Sequence, residues 1–146
     1  MIRVRCEAND LESLPTSVRE RLSQSIWTKG AIDPLQLGHE YDVWALVRWD
    51  DGLRVYIDWG EYWPSPYPIE FFSVIRADIP SGWLVTFTAV AERGEIDCIS
   101  FPEWCEDRYF YERLLDCDPA AVSIYQSRRS DALAEEGARS AENRSA

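Results

Sequence analysis

Histidine occurs once in this chain, at His39, and the four cysteines (Cys6, Cys98, Cys105 and Cys117) form no Cys-x-x-Cys pair, so the ligand set of a closed zinc site is missing. Glycine is also scarce. Only seven are present, and none falls into a Gly-x-Gly-x-x-Gly or phosphate-loop pattern, which removes those two routes to nucleotide binding. No run approaches the roughly 18 apolar residues that a membrane span needs. The start, Met1-Ile-Arg-Val-Arg-Cys-Glu7, has no apolar stretch followed by a small-residue cleavage site. These absences lead us to expect a cytoplasmic protein with reduced thiols, no metal and no cofactor.

Aromatic residues, in contrast, are plentiful. Seven Trp, seven Tyr and five Phe within an apolar fraction of 46% exclude intrinsic disorder for most of the 146 residues. The length fits one domain with a sizeable core. Formal charge is −11, and residues 127–146 hold four Arg against one Asp and three Glu, so the entire excess lies on residues 1–126. Such a body repels phosphate backbones and anionic membranes and attracts basic proteins. The expected organisation is a single globular domain over 1–126, followed by a polar tail, disordered or marginally helical, over 127–146.

Ile2 to Cys6 alternates apolar and charged residues, the period of a strand with one wet face, and is expected at a sheet edge. From Pro15 to Trp27, Val18, Leu22 and Ile26 recur at helical spacing behind a first-turn proline. Tyr41, Val43, Ala45, Val47 and Trp49 alternate along the clearest strand, with Trp44 and Leu46 on its other face. Asp50-Asp51-Gly52 then closes a hairpin with 53–59, where Leu53, Val55, Ile57 and Trp59 alternate with Arg54, Tyr56 and Asp58. Further strands are expected at 69–75, 83–90 and 96–101. Short helices follow over 101–105 and after Asp107, and Asp118-Pro119 opens a last one. The class is α+β, mainly antiparallel β: a small curled sheet or SH3-like barrel of about five strands, with an N-terminal helix and C-terminal helices.

Gly60-Glu-Tyr-Trp-Pro-Ser-Pro-Tyr-Pro68 interrupts that pattern. Its three prolines lack the N–H that a ladder requires and drive the residues before them toward extended geometry, so it reads as a stiff, irregular connection. Segments of this kind carry binding residues more often than the scaffold does. Asp58 and Glu61 border Tyr62, Trp63 and Tyr67, and a negative rim around an aromatic centre is the composition of a protein-binding hot spot for a cationic partner. Those five residues are the candidate partner-binding site. Read instead as an acid pair beside stacking rings, Asp58 and Glu61 would suit a glycosidase, a less specific interpretation.

Catalytic groups are otherwise few. His39, in Leu37-Gly-His-Glu-Tyr41, reads as a turn histidine with no second His for a relay. Cys105 is followed by Glu106 and Asp107, which oppose thiolate formation, and the cysteines read as small buried side chains. No catalytic residue is assigned, and the chain is read as a non-enzyme.

The runs Gly38-His-Glu-Tyr-Asp-Val-Trp-Ala-Leu46, Trp63-Pro-Ser-Pro-Tyr-Pro-Ile-Glu-Phe-Phe-Ser-Val-Ile75, Ile79-Pro-Ser-Gly-Trp83 and Tyr109-Phe-Tyr-Glu-Arg-Leu-Leu-Asp116 cover much of residues 1–126. Together they resemble small bacterial proteins similar to the immunity proteins that accompany polymorphic toxins. The resemblance implies a non-catalytic protein that neutralises a basic toxin, and it carries no catalytic residue with it. The alternative is a small-molecule or peptide-binding module in which residues 60–68 lid a pocket.

Overall fold

The computed structural model of the protein describes residues 1–26, 30, 32, 35–58, 63–87 and 96–146. The chain is α+β with antiparallel strands, and it divides into two compact units, Ile2–Ala77 and Asp78–Ala146, the latter including Met1. The expected end of the folded body at residue 126 falls inside a continuous helix rather than at a boundary.

Five strands build the first unit: β1 (Ile2–Cys6), β2 (Glu40–Trp49), β3 (Gly52–Ile57), β4 (Ser65–Pro68) and β5 (Phe72–Ala77). Their order is β4-β3-β2-β1-β5, with every pairing antiparallel. Of the two forms expected, curled sheet or barrel, the sheet is the open one, with β4 and β5 as its edges. β1 therefore lies inside the sheet, where its alternation suggested an edge. It pairs with β2 on one side and β5 on the other.

The proline-rich segment is more regular than expected. Ser65–Pro68 pairs with β3, placing Pro66 opposite Tyr56 and Pro68 opposite Arg54. A missing N–H is tolerated there because β4 has a neighbour on one side only. A single turn of 3-10 helix, Ile69–Phe71, then leads into β5, so that strand starts three residues later than its apolar pattern implied.

β2 keeps no single phase. Val43 pairs with Ile57 but Ala45 pairs with Tyr56, so a bulge places the extra residue Trp44 between them. Before the bulge Tyr41 and Val43 join the core with Val55 and Ile57; after it, Leu46 takes over that face opposite Val55. Ala45 and Val47 are displaced to the other side, where both remain buried. Helix α1 (Thr16–Leu22) covers the core face with Leu22 fully buried and Val18 packed beside it.

The second unit contains the short hairpin β6 (Leu84–Val85) with β7 (Cys98–Ser100), followed by α2 (Pro102–Glu106), α3 (Phe110–Leu115) and α4 (Pro119–Ser145). Expected strand residues 88–90 and the turn at 92–95 lie outside the described residues. Phe101 sits at the centre of this core, meeting Trp83, Trp104 and Phe110 at centroid separations of 6.4, 5.8 and 5.4 Å in edge-on geometry. Such edge-on contacts direct positive ring edges at negative faces.

Asp118 caps α4 by accepting from the Ala121 N–H at 2.9 Å, and Pro119 occupies the first turn, as its sequence signature predicts. The helix continues for 27 residues although it lacks an apolar stripe. One face explains this: Ala121, Tyr125, Arg128, Ala132, Glu135 and Arg139 recur at alternating spacings of four and three. Three are buried, and the charged ones make specific contacts. Arg128 forms a two-pronged pair with Glu103, Glu135 accepts from the Ser81 N–H and hydroxyl, and the Met1 amine meets Glu136 at 3.0 Å. Polar anchoring takes the place of apolar burial along its second half.

Candidate functional site

The β2–β3 turn organises the densest polar cluster of the first unit. Asp50 and Asp51 span the turn, and Gly52 supplies the positive φ of 137° on which the chain reverses. Near the end of α1, Arg21 donates to the Asp51 carbonyl and pairs with Glu70 at 2.6 Å. Ser25, just past the helix, donates to the Asp51 carboxylate. From β3, Arg54 directs Nη2 to Asp51 Oδ2 at 2.8 Å and to Ser25 Oγ at 3.0 Å, while its guanidinium lies 4.7 Å from the centre of the Trp49 ring.

Arg54 is 2% exposed, an unusual placement for arginine outside a paired network. Burial alone would raise the Asp51 carboxyl. The hydrogen bonds from Ser25 and Arg54, together with the Arg54 charge, outweigh burial and hold it below its ordinary value. The Asp51 carboxyl is therefore ionised at neutral pH.

Three buried atoms of this cluster have no hydrogen-bond partner: Arg54 Nη1, Asp51 Oδ1 and Glu70 Oε2. Orphaned polar atoms are exceptional in protein interiors, since each forfeits the solvation that folding removed. Arg54, though neither Asp51 nor Glu70, also lines a cavity of about 310 Å³. Ser25 and Arg54 supply its polar wall, Trp49 and Tyr67 its rings, and Pro66 and Pro68 of the edge strand close one side. That volume is at the lower end of small-molecule sites.

The sequence-predicted site residues are dispersed relative to this cavity. Tyr67 lines it, but on β4 opposite Val55 and only 9% exposed, so it is a core ring facing a pocket and no part of a surface rim. Asp58 and Trp63 are half-buried on either side of β4's approach, and neither borders the cavity. Glu61 and Tyr62 lie outside the described residues, so the proposed acid pair of Asp58 and Glu61 does too. Arg54, Asp51 and Ser25 carried no sequence motif. A carboxylate in the hairpin turn with an arginine three positions on, next to an aromatic strand end, is the signal that could have found them.

A described cavity of the second unit, about 30 Å³ between Ser81, Trp83, Arg128 and Glu135, is of the size of a single water. Cys98 and Cys105 are buried in the same unit, and the Cys105 hydrogen bond together with burial pushes the Cys98 thiol well up. Cys98 is thus unsuited to nucleophilic work at neutral pH. His39 is exposed, with its ring 4.7 Å from that of Tyr41. Among the described residues no three His, Cys, Asp or Glu side chains converge as metal ligands, and no helix is long and apolar enough to cross a membrane.

The chain matches no protein-family model, and neither curated proteins nor solved structures show a significant similarity to it. The architecture and its pocket therefore have to be interpreted from their own chemistry.

Proposed function

We propose that this protein is a non-catalytic binding module that takes a small molecule, or the end of a peptide, in the cavity beside Arg54. The observation that carries the proposal is a space of about 310 Å³ walled by the rings of Trp49 and Tyr67, two prolines and the side chains of Ser25 and Arg54. An apolar, ring-lined recess with few oriented polar groups is the usual composition of a ligand site. Among the described residues no nucleophile–base pair adjoins it, and in this reading the site orients and retains its guest without transforming it.

A thermal-shift screen of small molecules and short peptides tests this reading. Hits should stabilise the wild-type chain and lose that effect in Ile26→Trp, which introduces an indole at a cavity-lining position. Equal stabilisation of both proteins by every hit would contradict the assignment.

A second reading rests on charge. An excess of −11 confined to residues 1–126 favours association with a basic protein, including a toxin of the kind neutralised by immunity proteins. Aromatic burial around Asp58, Glu61 and Trp63 would then govern dissociation. This reading predicts complexes with cationic protein domains that weaken as salt rises and fail in Glu61→Lys with Trp63→Ala; no complex at low salt would dismiss it.

A further inference from the structure

The balance of hydrogen-bond donors and acceptors around the recess limits what kind of guest it accepts. We infer that it takes a neutral ring compound that donates a hydrogen bond to the Pro66 carbonyl and accepts few, the pattern of an indole or a related aromatic N–H. The inference rests on the recess being a binding site at all.

The edge strand supplies the first acceptor. Pro66 stands opposite Tyr56 in the β3–β4 ladder, between the Val55–Tyr67 and Ile57–Ser65 pairs. A proline has no N–H to exchange, so the two flanking pairs carry the ladder bonds and Pro66 takes the unbonded position between them. Its carbonyl is therefore directed away from β3, along the outer edge of the sheet. The recess lies at that edge. Pro66 and Pro68 share a sheet face with Arg54 and Trp49, whereas Tyr67 joins the core on the other face, where Ile26 and Ile32 pack against it. Residues from both faces line this one recess, and the two faces meet at the edge of β4.

Ser25, which is exposed, adds acceptor capacity. The single proton of its hydroxyl is directed inward, to the Asp51 carboxylate or to the Leu22 carbonyl at 3.3 Å, and one lone pair receives Arg54 Nη2 at 3.0 Å, which leaves the second lone pair. Most donors around the recess, in contrast, are already engaged. Arg54 Nη2 serves Asp51 at 2.8 Å as well as Ser25, and the Trp49 N–H points to the Tyr56 hydroxyl at 3.3 Å. The Ile26 and Ile32 amides bond the Leu22 and Asn9 carbonyls at 2.9 and 2.6 Å. Pro66 and Pro68 have no N–H to offer.

A carboxylate guest would therefore give up the donors of water for few in exchange. An ammonium guest would stand beside the Arg54 guanidinium in the same wall. A neutral N–H donor escapes both costs, and its ring meets Trp49, Tyr67 and the two prolines. A fused pair of rings fits about 310 Å³.

Three probes built on one bicyclic frame separate the possibilities: indole, benzofuran and indole-5-carboxylate. Each is titrated into the full-length protein while NMR follows the backbone amides, the Trp49 side chain and the Pro66 carbonyl carbon, which is read through the Tyr67 amide. The inference predicts that indole binds about fivefold more tightly than benzofuran, which has an oxygen in place of the N–H, and more tightly still than the carboxylate. Indole alone should move the Pro66 carbonyl resonance, because only it brings a donor to that oxygen without an opposing charge. Benzofuran or the carboxylate binding as tightly as indole at Trp49 and Tyr67, or a Pro66 carbonyl that indole leaves unmoved, would overturn the donor assignment and leave the pocket reading standing. If none of the three probes shifts these residues at millimolar concentration, the donor assignment fails. If, in addition, a broader fragment set leaves them unmoved, the pocket reading fails with it. Every comparison uses the unaltered chain, so the folding of a variant does not enter.

Discussion

The Ile2–Ala77 unit and the Asp78–Ala146 unit solve the interior differently. Around Phe101 the second unit fills its core with interlocking rings and leaves a described cavity no larger than a water. The first unit buries a charged pair, strands Arg54 Nη1, Asp51 Oδ1 and Glu70 Oε2, and keeps a recess of about 310 Å³ with Arg54 in its wall. Interior polar groups without partners lower stability; three such atoms cluster around Arg54, where the helical unit has Arg113 Nε, and that cluster marks the place where folding has been subordinated to something else. That contrast is why function is assigned to the sheet unit and structural support to the helical one.

The largest expected effect sharpens the contrast from the structural side. Phe101→Ala removes the shared partner of three rings and should destabilise the protein by about 3–5 kcal/mol in urea unfolding, without changing any ligand affinity measured at the cavity. An equal loss of affinity would break the division of labour. Asp51→Ala comes next. It leaves the buried Arg54 guanidinium without its carboxylate, at about 2–3 kcal/mol.

That pair also has a pH signature. The folded Asp51 carboxyl sits below its unfolded value, so its contribution is complete above the unfolded pKa of 3.8 and is lost as pH falls through the lower folded value. Glu103 behaves likewise in the other unit, because the hydrogen bond from Arg128 holds its carboxyl down. Stability measured from pH 6 to pH 2 should therefore decline on the acid side. Asp51→Asn should flatten part of that decline for probes in the sheet unit, and Glu103→Gln for probes in the helical unit. A decline unaffected by either substitution would show that other carboxylates control acid unfolding.

Smaller effects follow. Gly52→Ala must adopt φ 137° and brings its Cβ to 2.6 Å from Arg21 Nη1, a side-chain end that can move aside. A loss of about 1–2 kcal/mol is expected, mostly from backbone strain. Glu135→Ala removes the acceptor for the Ser81 N–H and hydroxyl. It should cost only about 1 kcal/mol overall while raising amide exchange selectively across residues 127–145. Uniform exchange along α4 in that variant would mean that the polar anchors do not hold its second half.

The sequence reports best where one period runs undisturbed. The Asp50–Gly52 hairpin turn, the existence of a strand at Ile2–Cys6 and the Asp118-Pro119 helix start follow directly from turn, alternation and cap chemistry. Reading fails where two signals compete. Trp44 is apolar in either phase, so nothing in the composition reveals the bulge that turns Leu46 inward. The 127–145 segment shows no apolar stripe because its inner face is built largely from Arg128, Glu135 and neighbours whose partners are distant in the chain. Tyr67 has the composition of a binding surface, and it proves to be a core ring because β4 pairs with β3 through it. Arg54 was hidden most completely. An arginine alternating along a strand reads as solvent-facing until the turn carboxylate that buries it is seen.

The most direct test of the central claim is a crystal of this chain soaked with small ring-bearing fragments. The account predicts density in the recess between Trp49, Arg54 and Tyr67. A recess collapsed onto its own side chains, or fragments bound only elsewhere, would contradict it.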